Sequence, residues 1–257
     1  MWNGLYLGDR MLTSEERERY DRQIMIREIG EAGQEKLKRA RVAIAGVGGI
    51  GSPVALYLTA AGIGKIRMID HDHVTLSNLN RQVLHWEDDI GKKKVDSART
   101  KLRQLNRAVE IETIPETLTE ENVSRLVEGC DAIVDAMDNL PTRYLLNRCA
   151  IKNRIPFFHG AVHGFEGRAL TILPGKTACL RCMFRGPVPQ EKFPVIGVVP
   201  AMIGSIQATE VIKYFTGIGE LLTNRLLIYD GLRVVFNEFA VKRNPECDHC
   251  GSLSGEE

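Results

Sequence analysis

The sequence lacks the features of membrane and secreted proteins. No apolar run reaches the roughly 18–20 residues that a membrane-spanning helix needs. The N-terminal residues show no basic start followed by an apolar stretch, so we expect no signal peptide. Net charge is close to absent, at +1 from 34 basic and 33 acidic residues, which argues against general binding to nucleic acid or to a membrane surface. We therefore expect a cytoplasmic protein.

What is present is an alternation of strand-like and helix-like segments. RVAIAG at 41–46 is a short apolar run that ends in glycine, as a buried strand does, and a helix is predicted at 49–61. This order predicts an α/β fold, a Rossmann-like and mostly parallel sheet with helices on both faces. Further helices are predicted at 14–39 (one or two), 91–106, 121–130 and 141–153, and further strands at 65–70, 109–114, 131–136 and 155–161.

The pattern changes after residue 161. GRALTILPG, RLLIYDG and LRVVFNEFAV predict strands of a mixed or antiparallel extension, and a helix is predicted at 200–217. The segment 185–194 is rich in proline and charge, which predicts a mobile crossover segment.

A glycine-rich turn follows the first predicted strand and opens a helix. Gly46, Gly48 and Gly51 form G-x-G-x-x-G, with Gly49 as a further glycine. Glycines permit a tight turn and let a phosphate approach the backbone, and the helix N-terminus supplies N–H donors. Asp70 ends the second strand, where a carboxylate can accept hydrogen bonds from ribose hydroxyls. A turn used only for packing is the alternative, but strand, turn, helix and acidic residue all coincide here.

Cationic and polar residues after the second strand favour ATP over NAD(P). Asn78 and Arg81 lie in the short polar connector SNLNRQ, and Lys94 begins the next predicted helix. A helix N-terminus can accommodate one pyrophosphate, whereas a triphosphate needs more positive charge. Each of these residues taken alone is also compatible with an ordinary surface position.

Two carboxylates stand at the end of the fourth predicted strand, in DAMDN. Asp135 and Asp138 lie where a carboxylate can hold Mg²⁺ against nucleotide phosphates. Alternatively, Asp138 caps the helix that contains Pro141, although Asn139 is equally placed for that role.

Together these motifs resemble the MoeB/ThiF/HesA adenylyltransferases, which are relatives of ubiquitin-activating enzymes. The resemblance covers roughly residues 14–250. The motifs that carry it are RYDRQ (19–23), GVGGIG (46–51), DHDHVTLSNLNRQ (70–82), GKKKV (91–95), DAMDN (135–139), CLRC (179–182), IGSIQATEVIK (203–213) and CDHC (247–250).

The resemblance implies ATP-dependent adenylation of the C-terminal glycine carboxylate of a MoaD/ThiS-like sulfur-carrier protein ending in Gly-Gly, with release of pyrophosphate. It also implies a homodimer in which Arg22 reaches the ATP site of the neighbouring subunit. The implied catalytic residues are Arg22, Arg81, Lys94 and Asp138, with Asp70 binding ribose, Asn78, Arg81 and Lys94 binding phosphates, and Asp138 binding Mg²⁺.

The chain then reads as a single adenylation domain over residues 1–257. We expect N-terminal helices in 1–40, a nucleotide-binding half in 41–160, and a zinc-stapled half that binds the carrier in 161–257.

Two C-x-x-C pairs predict a structural zinc site. Cys179, Cys182, Cys247 and Cys250 supply two thiolates per pair, as a tetrahedral Cys₄ site requires, and the family has the same site. Such a site leaves no open position for water. Redox use of either pair is the alternative, but neither follows a thioredoxin-like first strand.

One feature of many family members is missing. They carry a cysteine in the crossover segment that can link covalently to the carrier, but residues 183–200 contain none, and the usual position falls near Gln190. Cys130 and Cys149 lie in a predicted core strand and helix, where they are expected to act as small apolar residues. We therefore predict adenylation without an enzyme-bound thioester.

Three alternatives stay open. An NAD(P)-dependent oxidoreductase explains the glycines and Asp70 but not Arg22, Arg81, Lys94 and Asp138 together. A non-catalytic dimeric scaffold leaves the phosphate and Mg²⁺ residues without a purpose. Adenylation of a peptide is a third possibility, which we consider less favoured because no extra peptide-binding domain precedes residue 14.

Overall fold

A computed structural model describes residues 11–184 and 193–251, and within them the strands form one eight-stranded sheet. The strands are β1 (Arg41–Ala45), β2 (Lys65–Ile69), β3 (Glu110–Ile114), β4 (Ala132–Asp135), β5 (Phe157–His163), β6 (Glu166–Ile172), β7 (Arg225–Asp230) and β8 (Val235–Ala240). Their order across the sheet is β3-β2-β1-β4-β5-β6-β7-β8.

Helices cover both faces of this sheet. They are α1 (Ser14–Arg19), α2 (Asp21–Ile24), α3 (Gly30–Arg39), α4 (Gly51–Ala61), α5 (Lys94–Leu105), α6 (Val123–Leu126), α7 (Leu140–Asn153), α8 (Leu180–Met183) and α9 (Val198–Thr216), with 3₁₀ turns at Leu76–Asn78 and Glu87–Asp89. None of the helices in the described ranges is long and apolar enough to cross a membrane.

The first five strands in spatial order are parallel, and β6, β7 and β8 continue the sheet antiparallel. This confirms the predicted mostly parallel sheet with an antiparallel extension. The chain builds outward from β1 to β3, then returns to place β4 on the other side of β1. In open α/β sheets such a reversal leaves a crevice at the carboxyl ends of the two strands, where ligands bind.

The side chains of β1 alternate between the two faces of the sheet, and both faces are buried. Val42 and Ile44 face the core formed with α4, α5 and α9, whereas Ala43 and Ala45 face the core formed with α6 and α7. Successive side chains of a strand point to opposite faces, so an unbroken apolar run is required when both faces are covered.

Helix α9 packs closely against the start of α4. A Cβ added to Gly204 would lie 2.5 Å from Ile50 O and 2.5 Å from Pro53 Cγ, so only glycine allows this approach. The helix ends at Gly217, which adopts the left-handed conformation with φ of 78°. The predicted helix at 200–217 is therefore present, and it begins two residues earlier.

Two sequence predictions were wrong in detail. The segment 14–39 forms three helices, because α1 starts at a capping box between Thr13 and Glu16 and the chain turns again at Gly30, where φ is 55°. The helix predicted at 121–130 shrinks to α6, because Asn122 accepts a hydrogen bond from Thr119 N–H in a turn and Gly129 ends the segment with φ of 73°.

Candidate active site

The glycine turn lies at the carboxyl end of β1, against the chain that follows β4. Gly46 has φ of 91°, and a Cβ there would lie 2.7 Å from Ala136 O. A Cβ on Gly51 would lie 2.0 Å from Gly46 O. Both positions therefore require glycine for steric reasons. A Cβ on Gly48 would meet nothing closer than 3.5 Å, so this glycine leaves space beside the turn.

Asp70 holds the turn from the end of β2. Its Oδ2 accepts a hydrogen bond from Val47 N–H at 2.8 Å, and its Oδ1 accepts one from Asp72 N–H at 2.9 Å. The predicted ribose-binding carboxylate is thus also a structural support of the turn, and it is half-buried beside it.

Arg81 passes directly beside the glycine turn. A Cβ on Gly49 would lie 3.4 Å from Arg81 Cγ, and the guanidinium donates to Ser77 O at 2.9 Å and to Asn80 Oδ1 at 3.0 Å. Asn78 Oδ1 accepts a hydrogen bond from Thr75 N–H at 3.2 Å and so shapes the 3₁₀ turn that precedes Arg81. The guanidinium hydrogen bonds go to neutral acceptors, which leaves its charge available to an anion.

Lys94 opens α5 and pairs with Asp72. Its Nζ lies 2.8 Å from Asp72 Oδ2, and its side chain is only 7% exposed. Burial opposes ionisation of Asp72, but the hydrogen bond and charge of Lys94 outweigh it and keep the pKa of Asp72 below its usual value. Asp72, which sequence reasoning did not single out, links Lys94 to Asp70 and so to the glycine turn.

Asp138 is exposed in the loop between β4 and α7. The N-cap of α7 is Asn139, whose Oδ1 accepts a hydrogen bond from Thr142 N–H at 3.0 Å. Asp138 therefore does not serve as the cap, which removes one of its two sequence-based interpretations. Its Oδ1 accepts only a long contact of 3.4 Å from Asn139 Nδ2 within the described chain, which leaves the carboxylate available as an oxygen ligand.

A buried polar network beneath this loop was missed by the sequence analysis. Asp135 is fully buried, and its Oδ2 lies 2.7 Å from His159 Nδ1 and 3.8 Å from Arg143 Nε. Arg143 donates to Met137 O through Nε at 3.1 Å and through Nη2 at 2.6 Å, while Met137 N–H donates to Asp135 Oδ1. Met137 is thereby held through both its N–H and its carbonyl, directly before Asp138. No local sequence signal links these residues.

The four cysteines of the C-x-x-C pairs come together as predicted. The sulfur distances are 3.9 Å between Cys179 and Cys182, 3.7 Å between Cys179 and Cys247, and 3.5 Å between Cys182 and Cys250. Four sulfurs placed tetrahedrally at about 2.3 Å from zinc are roughly 3.8 Å apart. The set can therefore hold a metal ion, and the distances are far too long for disulfides.

A side chain of helix α7 forms hydrogen bonds with both C-x-x-C segments. Asn147, which is fully buried, accepts a hydrogen bond from Leu180 N–H at 3.1 Å and lies 2.8 Å from His249 Nδ1 through its Nδ2. Because the amide nitrogen can only donate, His249 Nδ1 is the acceptor. His249 is thus engaged in packing and is not positioned as a ligand through Nδ1.

The crossover segment is anchored near both ends, although 185–192, with the position near Gln190, lies outside the described residues. Tyr144 Oη donates to Phe184 O at 2.8 Å on one side. On the other, Gly164 N–H donates to Pro194 O at 2.7 Å, and Phe193 stacks on His163. The second anchor lies at the carboxyl end of β5, which ends at His163, and Phe184 of the first anchor contacts His159 in the same strand.

The two remaining cysteines belong to the core, as predicted. Cys130 and Cys149 are buried, and burial raises the pKa of both thiols above the usual value. A protonated buried thiol is a poor nucleophile.

The described chain also exposes an arginine without a hydrogen-bond or ion-pair partner within it, and two apolar surfaces. Arg22 on α2 is exposed and makes no hydrogen bond or ion pair within the described residues. An apolar groove of about 570 Å³ runs between α4 and α9, with exposed Tyr57, Val83 and Val198 along it. A second apolar surface lies at the turn before β8 and is formed by Phe165, Leu232, Val234 and Phe236.

Comparison with known proteins identifies the family of this chain. A model described as the ThiF family matches residues 20–249. The chain is 42% identical over 250 residues to the sulfur carrier protein adenylyltransferase of Thermus thermophilus, covering 93% of this chain and 92% of that protein. It is 42% identical over 246 residues to the SAMP-activating enzyme E1 of Haloferax volcanii, covering 93% and 91%.

A solved structure shows the same architecture. E. coli MccB with AMPCPP and MccA matches with a TM-score of 0.84 and 26% identity, over 93% of this chain and 76% of MccB. The similarity therefore extends through both the parallel and the antiparallel parts of the sheet. This chain belongs to the ThiF family, as its resemblance to the MoeB/ThiF/HesA adenylyltransferases predicted.

Proposed function

We propose that this protein uses ATP and Mg²⁺ to adenylate the C-terminal glycine carboxylate of a ubiquitin-like sulfur-carrier protein. One observation carries the proposal: the glycine turn touches both the Arg81 connector and the chain leading to Asp138, and Asp70 and Asp72 join it to Lys94. The 42% identity to a sulfur carrier protein adenylyltransferase over nearly the whole chain supports the choice of substrate.

The reaction needs charge stabilisation more than covalent chemistry. The carrier carboxylate attacks the α-phosphorus, pyrophosphate leaves, and negative charge spreads over the phosphate oxygens in the transition state. Arg81 and Lys94 are held in place before the reaction by Ser77, Asn80 and Asp72, so they stabilise that charge with little reorganisation.

Asp138 is the proposed magnesium ligand. An exposed carboxylate without a close partner in the described chain suits a hard cation that keeps several of its waters. Bound Mg²⁺ would neutralise charge on the phosphates and align them for attack. The buried pairing of Arg143 with Met137 O holds the adjacent backbone and thereby orients Asp138.

The four clustered thiols are the proposed zinc ligands, with a structural role. They join the chain on either side of the crossover segment and β7–β8, because Cys179 and Cys182 precede both and Cys247 and Cys250 follow them. A cytoplasmic location, where thiols stay reduced, suits such a set.

The carrier is proposed to bind on the antiparallel end of the sheet. Leu232 is 75% exposed, Val234 71% and Phe236 48%. They lie next to Phe165, which follows the carboxyl end of β5, so this apolar surface borders the edge of the sheet that holds the ATP site. A carrier docked there can extend its C-terminal tail along the sheet edge towards the nucleotide. Exposed apolar surface of this kind is typical of protein-binding sites.

We further propose a homodimer in which Arg22 completes the neighbouring subunit's site. The apolar groove between α4 and α9 suits burial by a second copy, and Arg22 is free of partners in the described chain. Mixing inactive Arg22→Ala and Asp138→Asn chains tests this. If Arg22 acts across the dimer, mixed dimers regain one working site, or about a quarter of all sites after random exchange. No recovery would place Arg22 within its own subunit.

The function is tested by ATP–pyrophosphate exchange with purified carriers ending in Gly-Gly. We expect exchange that depends on Mg²⁺ and on one carrier of the set. Exchange with a short peptide instead would favour peptide adenylation, for which the similarity to MccB bound to MccA is the supporting observation. Thermal stabilisation by NAD and not by ATP would refute the proposal in favour of an oxidoreductase.

A further inference from the structure

The imidazole of His85 joins three segments that carry the proposed ATP-binding groups. It is 3% exposed, with Nε2 2.9 Å from Val47 O in the glycine turn and Nδ1 2.9 Å from Ser97 Oγ in α5. His85 itself lies four residues after Arg81, and Ser97 lies three residues after Lys94. One ring therefore connects the glycine turn, the Arg81 connector and the helix that Lys94 begins.

The hydrogen bonds define which ring nitrogen carries the proton. A carbonyl can only accept, so Nε2–H donates to Val47 O and Nδ1 accepts from the Ser97 hydroxyl. Lys101 Nζ in turn donates to Ser97 Oγ at 3.0 Å and forms an ion pair with Asp89. Burial and the nearby charges of Lys101 and Lys94 lower the pKa of His85 and so favour its neutral form, although the hydrogen bond to Val47 O and the charge of Asp70 oppose this.

Both backbone polar groups of Val47, its N–H and its carbonyl, are hydrogen-bonded. Its N–H donates to Asp70 Oδ2 and its carbonyl accepts from His85. The Val47–Gly48 peptide is trans and planar, so a carbonyl directed at His85 directs the Gly48 N–H to the opposite side. Neither Gly48 N–H nor Gly49 N–H meets an acceptor within the described chain, so both donors are available to a phosphate.

We propose that His85 is a positioning residue for ATP binding, one that fixes the Val47–Gly48 peptide so that the turn presents its N–H groups to the phosphates. This rests on the proposed function, because it assumes that the turn binds ATP. Without the Nε2–H bond, the Val47 carbonyl would be buried without a partner and the peptide would rotate to find one.

The test measures Mg-ATP affinity of the full chain by isothermal titration. His85→Phe keeps a ring but removes both hydrogen bonds, and we expect roughly tenfold weaker binding, since a buried carbonyl is left unpaired. His85→Gln places an amide donor within reach of Val47 O and is expected to bind within about threefold of the natural chain. The KM for a carrier at saturating ATP should stay unchanged in both.

Two controls separate positioning from general destabilisation. Ser97→Ala removes the Nδ1 partner and leaves the Val47 bond. Thr171→Val removes a buried hydrogen bond to Glu210 Oε2 of 2.6 Å in β6, away from the turn. Both are expected to lower the free energy of unfolding, measured in urea, while Mg-ATP affinity changes by less than about twofold.

The outcomes distinguish this inference from the proposed function. If the natural chain fails to bind Mg-ATP, the proposed function itself is refuted. If it binds but His85→Phe binds as well as Thr171→Val does, only the role of His85 is refuted. Should His85→Phe fail to fold, His85→Asn, whose shorter amide does not reach Val47 O, must show the same loss, and unchanged affinity would overturn the inference.

Discussion

The parallel and antiparallel ends of the sheet are built in opposite ways. Every residue of β4, and all of β1 except Arg41, is buried, whereas all six residues of β8 are exposed. A sheet covered on both faces leaves only the crevice at its carboxyl ends for a ligand, which suits a small molecule such as ATP. A bare strand with apolar side chains suits a protein partner.

The comparison extends to how each region holds its functional groups. Around the glycine turn, buried or half-buried hydrogen bonds fix Val47, Lys94 and Met137. At the turn before β8, Leu232 N–H donates to Asp230 Oδ1, and the side chains of Leu232 and Val234 are exposed. The first region fits the proposed charge stabilisation, and the second fits the proposed contact with a carrier.

The largest expected effect comes from Asp138. Asp138→Asn should lower ATP–pyrophosphate exchange by roughly 100- to 1,000-fold, because one preorganised charge in the reacting site is lost. Since Asp138 is exposed, the free energy of unfolding should change by less than about 0.5 kcal/mol. Asp88→Asn, at another exposed carboxylate, is the control and should retain full exchange. Equal activity of the two variants would exclude Asp138 from the reaction.

Loss of a zinc ligand should act on stability instead. Cys179→Ser is expected to reduce the free energy of unfolding by about 4 kcal/mol or more, in the range typical of losing a metal site, and to remove zinc measured by mass spectrometry. Cys149→Ser, at a buried cysteine outside the cluster, should keep the zinc. A Cys179→Ser protein with full zinc content would show that the cluster is not the site.

Substitutions on the apolar surface before β8 should change the KM for the carrier and leave Mg-ATP affinity unchanged. Leu232→Ser is expected to raise the KM for the carrier roughly tenfold, since exposed apolar residues at an interface can contribute this much, while Mg-ATP affinity stays constant. Phe239→Ser, an exposed residue at the far end of β8, is the matched control. A larger effect from Phe239 would move the docking surface away from the site edge.

The smallest expected effect is the dependence of the free energy of unfolding on pH. Burial lowers the pKa of both His85 and His159 below the usual value, so folding favours their neutral forms. Their contribution to stability is complete above the unfolded-state pKa of about 6.5 and is lost as pH falls below it towards the folded-state values. Urea unfolding between pH 8 and 5 should therefore show stability falling only in the acidic part. In His85→Gln the decline should be smaller.

Short sequence patterns predicted those features of the fold that depend on neighbouring residues along the chain. The succession of strands and helices along the chain, the turn at Gly46 and Gly51, and the capping of α7 by Asn139 each follow from short segments, so they could be predicted from the sequence. The contacts that orient the side chains of the site could not be predicted in this way. His85 reaches Val47 across 38 residues and Asn147 reaches His249 across 102, and such pairings arise only when the folded sheet brings separate segments together.

The same limit applies to the surfaces. Leu232 and Val234 resemble core residues in sequence, and only the fold shows that nothing in the described chain covers them. Conversely, the sequence predicts Lys94 as a cation for phosphate but not its ion pair with Asp72. Sequence reasoning can therefore single out candidate groups, but it does not show how firmly each side chain is held.

We propose above all that this site transfers AMP to the terminal carboxylate of a carrier. The most direct test of this proposal is intact-mass analysis of a Gly-Gly carrier after incubation with the full chain, ATP and Mg²⁺, beside the same carrier with its C-terminus amidated. We predict an AMP adduct on the free-acid carrier alone, and none with the Asp138→Asn variant. An adduct on the amidated carrier, or none on any carrier, would contradict the account.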